Sequence, residues 1–184
     1  CRNKIEIYDT LEEMLKDEKI DLISLCSRSR EKQADDAIKC LKAKKHVYAE
    51  KPAALSEEKL DEILECAREN GREFHEMADS IFVEPYWKMK KIVQSGTIGE
   101  VVQVYVQKSY KLNFDNRPQD EAIDGGLVRQ AGIHGVRFIE HITGLKVTDV
   151  KVASTHIGNR TNPTLTTASS WIMILENGGV ASAC

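Results

Sequence analysis

Three short apolar runs alternate with amphipathic helical stretches in the first part of the chain, and this alternation is its strongest constraint. The runs are Asp21 to Cys26, His46 to Ala49 and Phe74 to Ala78. Strands separated by helices in this way belong to βαβ units on a parallel sheet. The helices are marked as clearly as the strands. Thr10 with Glu13 forms a capping box for a short helix through Leu15. Ala34, Ala37, Ile38 and Leu41 then recur at helical spacing among charged residues, so one stripe faces the sheet. Ser56 opens a longer helix with Glu57 and Glu58 in its first turn, Leu60, Ile63, Leu64 and Ala67 supply its buried stripe, and Gly71 ends it. Pro85 starts a further helix with Tyr86, Met89 and Val93 inward, closed by Gly96.

From Gly99 the period changes. Val102, Val104 and Val106 alternate with Gln103, Tyr105 and Gln107, as in a sheet with one wet face. A polar loop from Asn113 to Asp124 leads to a helix from Leu127 to Thr143, stopped at Gly144. Strands follow near Thr148 to Ser154 and Thr167 to Leu175, and Asn177-Gly178-Gly179 signals a hairpin into Val180 to Cys184. The expected fold is therefore α/β: a partial parallel-sheet domain over residues 1–80, a connecting helix over 81–98, and an α+β domain with a mostly antiparallel open sheet over 99–184. The last strand has no partner, so more sequence is expected beyond it. The half-exposed sheet also predicts self-association.

Charge and cysteine content narrow the partners. Twenty-six basic residues against 29 acidic ones give a net charge of -3, with no basic block longer than Lys42-Ala43-Lys44-Lys45, so neither nucleic acid nor an anionic membrane is indicated. A small molecule is the expected partner. The five cysteines form no C-x-x-C pair and are odd in number, which suggests neither a metal knuckle nor a disulfide framework. Cys26 and Cys66 sit among apolar residues and read as core packing. No apolar run approaches the ~20 residues of a membrane span, and the expectation is a cytoplasmic protein with reduced thiols and no metal.

The phrase Lys45-His46-Val47-Tyr48-Ala49-Glu50-Lys51-Pro52, set after a strand and before a capped helix, resembles the Gfo/Idh/MocA family of oxidoreductases. Three further stretches are similar to its layout: Tyr8-Asp9-Thr10 with Ile20-Asp21-Leu22-Ile23, Gly96-Thr97-Ile98-Gly99-Glu100-Val101, and Gly125-Gly126 leading to Gly132-Ile133-His134. The resemblance covers nearly the whole chain. It implies a Rossmann domain binding NAD or NADP, a second domain with a large sheet, oxidation or reduction of sugars, cyclitols and related alcohols, and a homodimer or homotetramer. It makes Lys51 and His134 the catalytic candidates and implies a cis peptide bond before Pro52.

The residues themselves agree with these roles. A lysine at the carboxyl end of a parallel strand points into the crevice where such sheets bind ligands, where its ammonium can hold a substrate oxygen and offset alkoxide charge. Without its context it would read as a surface lysine before a turn proline. His134 lies behind glycines that let backbone approach a ligand closely, and imidazole is suited to taking a hydroxyl proton near neutral pH. A lone helical histidine is otherwise a packing residue, as His141, His46, His75 and His156 are expected to be. Gln130 and Arg117 are the candidate substrate contacts, although a solvated loop arginine is the plainer reading of Arg117.

Two departures from the family pattern stand out. Many members carry an aspartate four residues before the histidine and another three after it, where this chain has Gln130 and Arg137. His134 then acts without that carboxylate, or Asp120, Glu121 or Asp124 replaces it, or the chemistry is weakened. All eleven glycines lie at Gly71 or later, so G-x-G-x-x-G, the turn that cradles a pyrophosphate, is missing from the α/β part. The resemblance begins partway through the Rossmann domain and implies that the first strand, this turn and the ribose-binding acid precede Cys1. The cofactor contacts left by position are Ser27, Arg28, Ser29, Glu50 and Lys51. The competing expectations are a noncatalytic binding or regulatory protein of the same fold, and nicotinamide-assisted glycoside cleavage.

Overall fold

The computed structural model describes residues 5–27, 29–109, 120–159, 162 and 164–184, with only the backbone at 79 and 80. The chain divides into two compact units, Cys1–Met77 and Ala78–Cys184. The first is built on three parallel strands, β1 (Leu22–Leu25), β2 (His46–Ala49) and β3 (Phe74–Glu76), in that order across the sheet. Their registers place Ile23 beside Val47 and Leu25 beside Ala49. A short helix α1 (Leu11–Met14) precedes β1; α2 (Gln33–Lys42) connects β1 to β2 and α3 (Glu57–Asn70) connects β2 to β3.

Caps fix where these helices begin and end. The Glu13 N–H donates to Thr10 Oγ1 at 3.1 Å, while the Glu13 carboxylate accepts from the Asp9 N–H, one residue before the cap. Ser56 Oγ accepts from the Lys59 N–H, and Gly71 takes the left-handed conformation (φ 60°) that stops α3. Both long helices share one core with the sheet, made of Ile23, Leu25, Ala37, Leu41, Val47 and Ile63 with their neighbours. Full burial of each large aliphatic side chain here contributes about 1.5–3 kcal/mol.

The stripe of α3 differs from its sequence reading. Ile63, Cys66 and Ala67 are buried, whereas Leu60 and Leu64 lie on the exposed flank. Leu64 follows Ile63 by one residue, hence by about 100° of helix, which carries it off the buried stripe. Cys26 is also exposed: it follows β1 by one residue, on the side of Ser24, with its Sγ 3.5 Å from Ser24 Oγ. Cys40 and Cys66 are buried, and burial pushes the Cys40 thiol up to about 11, which leaves it protonated and inert at neutral pH.

In the second unit, a 3-10 turn (Asp79–Phe82) and α4 (Tyr86–Gln94) are followed by β4 (Gln103–Val106), α5 (Glu121–Asp124), α6 (Gly126–Thr143), β5 (Val147–Thr155), β6 (Ala168–Leu175) and β7 (Val180–Ala183). The sheet order is β4-β7-β6-β5; β4 is parallel to β7 and the other pairs are antiparallel. Helix α6 is covered on two sides. Ile139 packs against Met173, Leu175, Ala181 and Ala183 of the sheet, and Phe138 and Ile142 pack against Ile81, Tyr86 and Val93. The Tyr86 and Phe138 rings lie 4.5 Å apart. Met89, expected inward, is exposed on α4. Val104 and Val106 join the core as their alternation predicts, but Val102, ahead of the strand, is 75% exposed.

His141 of α6 sits beside the Phe82 and Trp87 rings. Its pKa is lowered, first by burial and then by the Lys90 and Arg137 cations. Lys45, the last residue of the Lys42-Ala43-Lys44-Lys45 stretch, is buried and donates through Nζ to the Asp17 carbonyl at 2.8 Å. Lys44 holds the left-handed conformation (φ 62°) after α2, where a side chain is sterically disfavoured. Lys44→Gly is expected to raise the stability of the protein by about 0.5–1 kcal/mol, read from the midpoint of urea unfolding.

Candidate functional site

Parallel pairing brings the carboxyl ends of β1 and β2 to the same edge of the first sheet. The ladder continues one step past the strands, since the Glu50 N–H donates to the Leu25 carbonyl at 2.8 Å. Ser27 and Ser29 after β1, and Glu50 and Lys51 after β2, are all half-buried at this edge. The Lys51–Pro52 peptide bond is cis, as the resemblance implied, and so is Glu84–Pro85. Glu50 Oε1 accepts from the Lys51 N–H at 3.0 Å, and Glu76 Oε1 accepts from the Ala53 N–H at 2.8 Å.

A second layer of polar groups lies beneath the turn. The Gln33 side chain is fully buried, and its Nε2 donates to the carbonyls of Glu50 (2.5 Å) and Pro52 (3.0 Å), with Ala53 O at 3.5 Å. Arg30 donates to the Lys51 carbonyl (3.3 Å), to the Ser27 carbonyl and to Gln33 Oε1 (3.2 Å). Sequence reasoning missed both residues. Gln33 was legible in part, because it stands four residues before Ala37 and eight before Leu41 on the buried stripe of α2.

In the second unit, the segment before His134 is shaped by its own hydrogen bonds. Gly125 and Gly126 take left-handed conformations (φ 84° and 69°) and reverse the chain between α5 and α6. Asp124 is buried and accepts from the Gly126 N–H at 2.8 Å; Gln130, also buried, donates to the Asp124 carbonyl at 2.5 Å. His134 is half-buried, one helical turn after Gln130, and Arg137 is exposed. The three loop carboxylates each accept a backbone N–H through one oxygen: Asp120 from Ala122 at 2.8 Å, Asp124 from Gly126 at 2.8 Å, and Glu121 from Thr166 at 3.5 Å. Arg117 and Arg28 lie outside the described residues.

The glycines of α6 bring the helix against the sheet. A Cβ at Gly132 would fall within the Trp171 ring, and one at Gly135 would stand 3.3 Å from the Ala183 Cβ. Alongside this contact a cleft of about 300 Å³ opens between α6 and the sheet, lined by Leu127, Lys108, Ser169 and Cys184 among others. Sequence periodicity gave no sign of it, since its walls come from segments far apart in the chain. Among the described residues no cluster of three His, Cys, Asp or Glu side chains could hold a metal ion, and no helix is long and apolar enough to cross a membrane.

Comparison with known proteins places both units in one family. Residues 1–77 match the model described as an oxidoreductase family with an NAD-binding Rossmann fold, and residues 86–183 match the GFO/IDH/MocA C-terminal domain. The chain belongs to the Gfo/Idh/MocA oxidoreductase family. It is 28% identical over 149 residues to myo-inositol 2-dehydrogenase of Thermotoga maritima, a match covering 78% of this chain and 42% of that protein. It is 26% identical over 137 residues to bovine (Bos taurus) trans-1,2-dihydrobenzene-1,2-diol dehydrogenase, covering 74% of this chain and 41% of the relative. A solved Thermotoga maritima protein superposes with a TM-score of 0.86 at 30% identity, over 96% of this chain and 54% of its own. The chain thus spans about half the length of the relatives it matches, or less.

An NAD-binding fold calls for a test of the residues present. Ser27 and Ser29, with hydroxyls, and Lys51, with an ammonium, follow neighbouring strand ends at one sheet edge, residue types suited as donors to a polyhydroxylated anionic cofactor. They fit one part of it, because the glycine-rich pyrophosphate turn is not among these 184 residues. The helix–sheet contact gives a separate test of packing. Gly132→Ala is expected to cost about 1–3 kcal/mol by forcing Trp171 from its place, seen as a lower thermal midpoint and altered tryptophan fluorescence.

Proposed function

We propose that this chain contributes Lys51 and His134 to the NAD(P)-dependent oxidation or reduction of a secondary alcohol in a sugar, cyclitol or related polyol. In this reading Ser27, Arg28, Ser29, Glu50 and Lys51 hold the cofactor, which when bound supplies the hydride acceptor or donor. The Lys51 ammonium holds the reacting oxygen and offsets its developing negative charge. His134 takes the hydroxyl proton in the oxidative direction and returns it in the other. Gln130 and Arg117 orient the other hydroxyl groups of the substrate. The observation that carries the reading is the position of Lys51: the carboxyl end of a parallel strand, in a unit matched by an NAD-binding family. The relatives named for an inositol and for a dihydrodiol are consistent with a vicinal diol as the shared element of substrates.

A second reading, a noncatalytic ligand-binding protein of this fold, is favoured by Gln130 and Arg137, which stand where many family members carry aspartate. Turnover separates the two. In a screen of sugars and cyclitols with NAD and NADP, followed by formation of reduced cofactor, Lys51→Met and His134→Asn are each expected to lower kcat by about 10²–10⁴-fold. Cofactor affinity in His134→Asn should stay close to that of the parent. Ligand binding without any hydride transfer would favour the binding protein.

We further infer self-association through the outer face of the second sheet. There Tyr105 is 65% and Ile172 57% exposed, with Ile174 and Val180 beside them. The register sets these residues in two cross-strand rows, Lys151-Ile172-Ser182-Tyr105 and Asp149-Ile174-Val180-Gln103, with Ile172, Ile174 and Val180 beside Ser182 at the centre and Lys151, Asp149 and Gln103 at the rim. Ile172→Asp should weaken association by about 2 kcal/mol or more, measured by sedimentation equilibrium. A parent that is monomeric at all concentrations tested would remove this inference.

A further inference from the structure

We propose that Gln33 and Arg30 are positioning residues that lock the strand-end loops carrying Ser27 and Lys51 into one rigid piece. The inference rests on the reading of Lys51 given above and extends it to residues that touch neither substrate nor cofactor in that reading. Four successive carbonyls, from Glu50 to Ala53, surround two side chains of the β1–α2 segment. Gln33 Nε2 reaches three of them and Arg30 Nε the fourth. A carboxamide has two N–H donors, so the bonds at 2.5 and 3.0 Å are the ones it satisfies, and the 3.5 Å approach to Ala53 is marginal.

The orientation of that carboxamide is itself determined. Arg30 offers only donors, so the group facing it must be the Gln33 oxygen, which turns the nitrogen toward the turn. Arg30 also binds the Ser27 carbonyl, so one guanidinium spans the loop after β1 and the loop after β2. Gln33 is fully buried, where water cannot replace a lost donor. With its carbonyls held from below and the Lys51 and Ala53 N–H groups held by Glu50 and Glu76, the backbone that sets the direction of Lys51 is tied on both sides. Neither side chain needs to approach a ligand for this to matter, because misplacing a reacting group by about 1 Å can cost about 10²-fold in rate.

The test uses Gln33→Met, which keeps the volume and removes the donors, and Arg30→Gln, which alters a half-buried residue nearer the surface and tests the clamp should the first variant not fold. Two readouts are made on the purified protein without cofactor. Amide exchange at Lys51 and Ala53 is expected to quicken by about tenfold or more, while β2 and α3 keep their protection. Labelling of Lys51 by an amine-reactive reagent, measured against Lys39 and Lys59 by peptide mass spectrometry, should rise about threefold or more as the turn loosens. With cofactor and substrate, kcat should fall about 10- to 100-fold with little change in cofactor KM.

The clamp is overturned if the turn's exchange and the labelling of Lys51 match the parent in the variants that fold. That result would stand whether or not Lys51 is required for turnover. If Lys51→Met turns over normally while the clamp variants release the turn, the lysine's catalytic role fails and the clamp remains. A uniform loss of protection across the whole first unit, in Arg30→Gln as in Gln33→Met, would also overturn the proposal by making both residues merely structural.

Discussion

Parallel strand pairing governs the first unit. Once β1, β2 and β3 run in the same direction, every return must be a crossover, and every carboxyl end must arrive at one edge. The crossovers α2 and α3 bury their stripes on one face of the sheet, and the loops after β1 and β2 become neighbours without any contact being arranged for that purpose. The proximity of Ser27 to Lys51 is thus a consequence of topology. What topology does not supply is stiffness, because strand-end loops carry carbonyls that no ladder satisfies. The buried Gln33 carboxamide and the Arg30 guanidinium satisfy them.

The second unit meets the same need by other means. Helix α6 is packed on one side by the sheet and on the other by α4, which leaves little room at the crossing. Glycine at 132 and 135 removes the Cβ atoms that would collide with Trp171 and Ala183. Gly132, expected from the sequence to let backbone approach a ligand, and Gly135 after it are glycines of close approach to the protein's own sheet. The polar devices at the start of the helix act on the backbone as well: Asp124 holds the Gly126 N–H, and Gln130 holds the Asp124 carbonyl.

Much of this was legible in the residues. Periods of two and of 3.6 located the strands and helices, and Thr10, Ser56, Gly71 and Gly144 marked helix ends that the structure keeps. The family could be recognised from phrases such as Glu50-Lys51-Pro52 because they combine a strand end, a charged group and a turn in fixed order. The failures have a common cause. Hydropathy assigns a side chain to the inside or the outside by type, so it placed Leu60, Leu64, Met89 and Val102 inward. Burial instead follows the angular position on a helix and the reach of the neighbouring elements. Gln33 shows the point most sharply: its position on α2 is a core position, but its polarity argued against it, and its partners are backbone atoms that leave no trace in a sequence pattern.

Each candidate group is therefore held by the unit that carries it. The Lys51 turn is fixed by α2 and by the edge of β3, through Gln33, Arg30 and Glu76; the helix bearing His134 is fixed by its own reversal at Gly125 and Gly126 and by its seat on Trp171. The contacts named for the Lys51 turn lie within the first unit, and those named for α6 lie within the second. Within each unit the local ordering is completed during folding, so little conformational entropy is left to lose there when a ligand binds. A change beneath Lys51 therefore acts first on the turn that carries it, through the carbonyls of Glu50, Lys51 and Pro52.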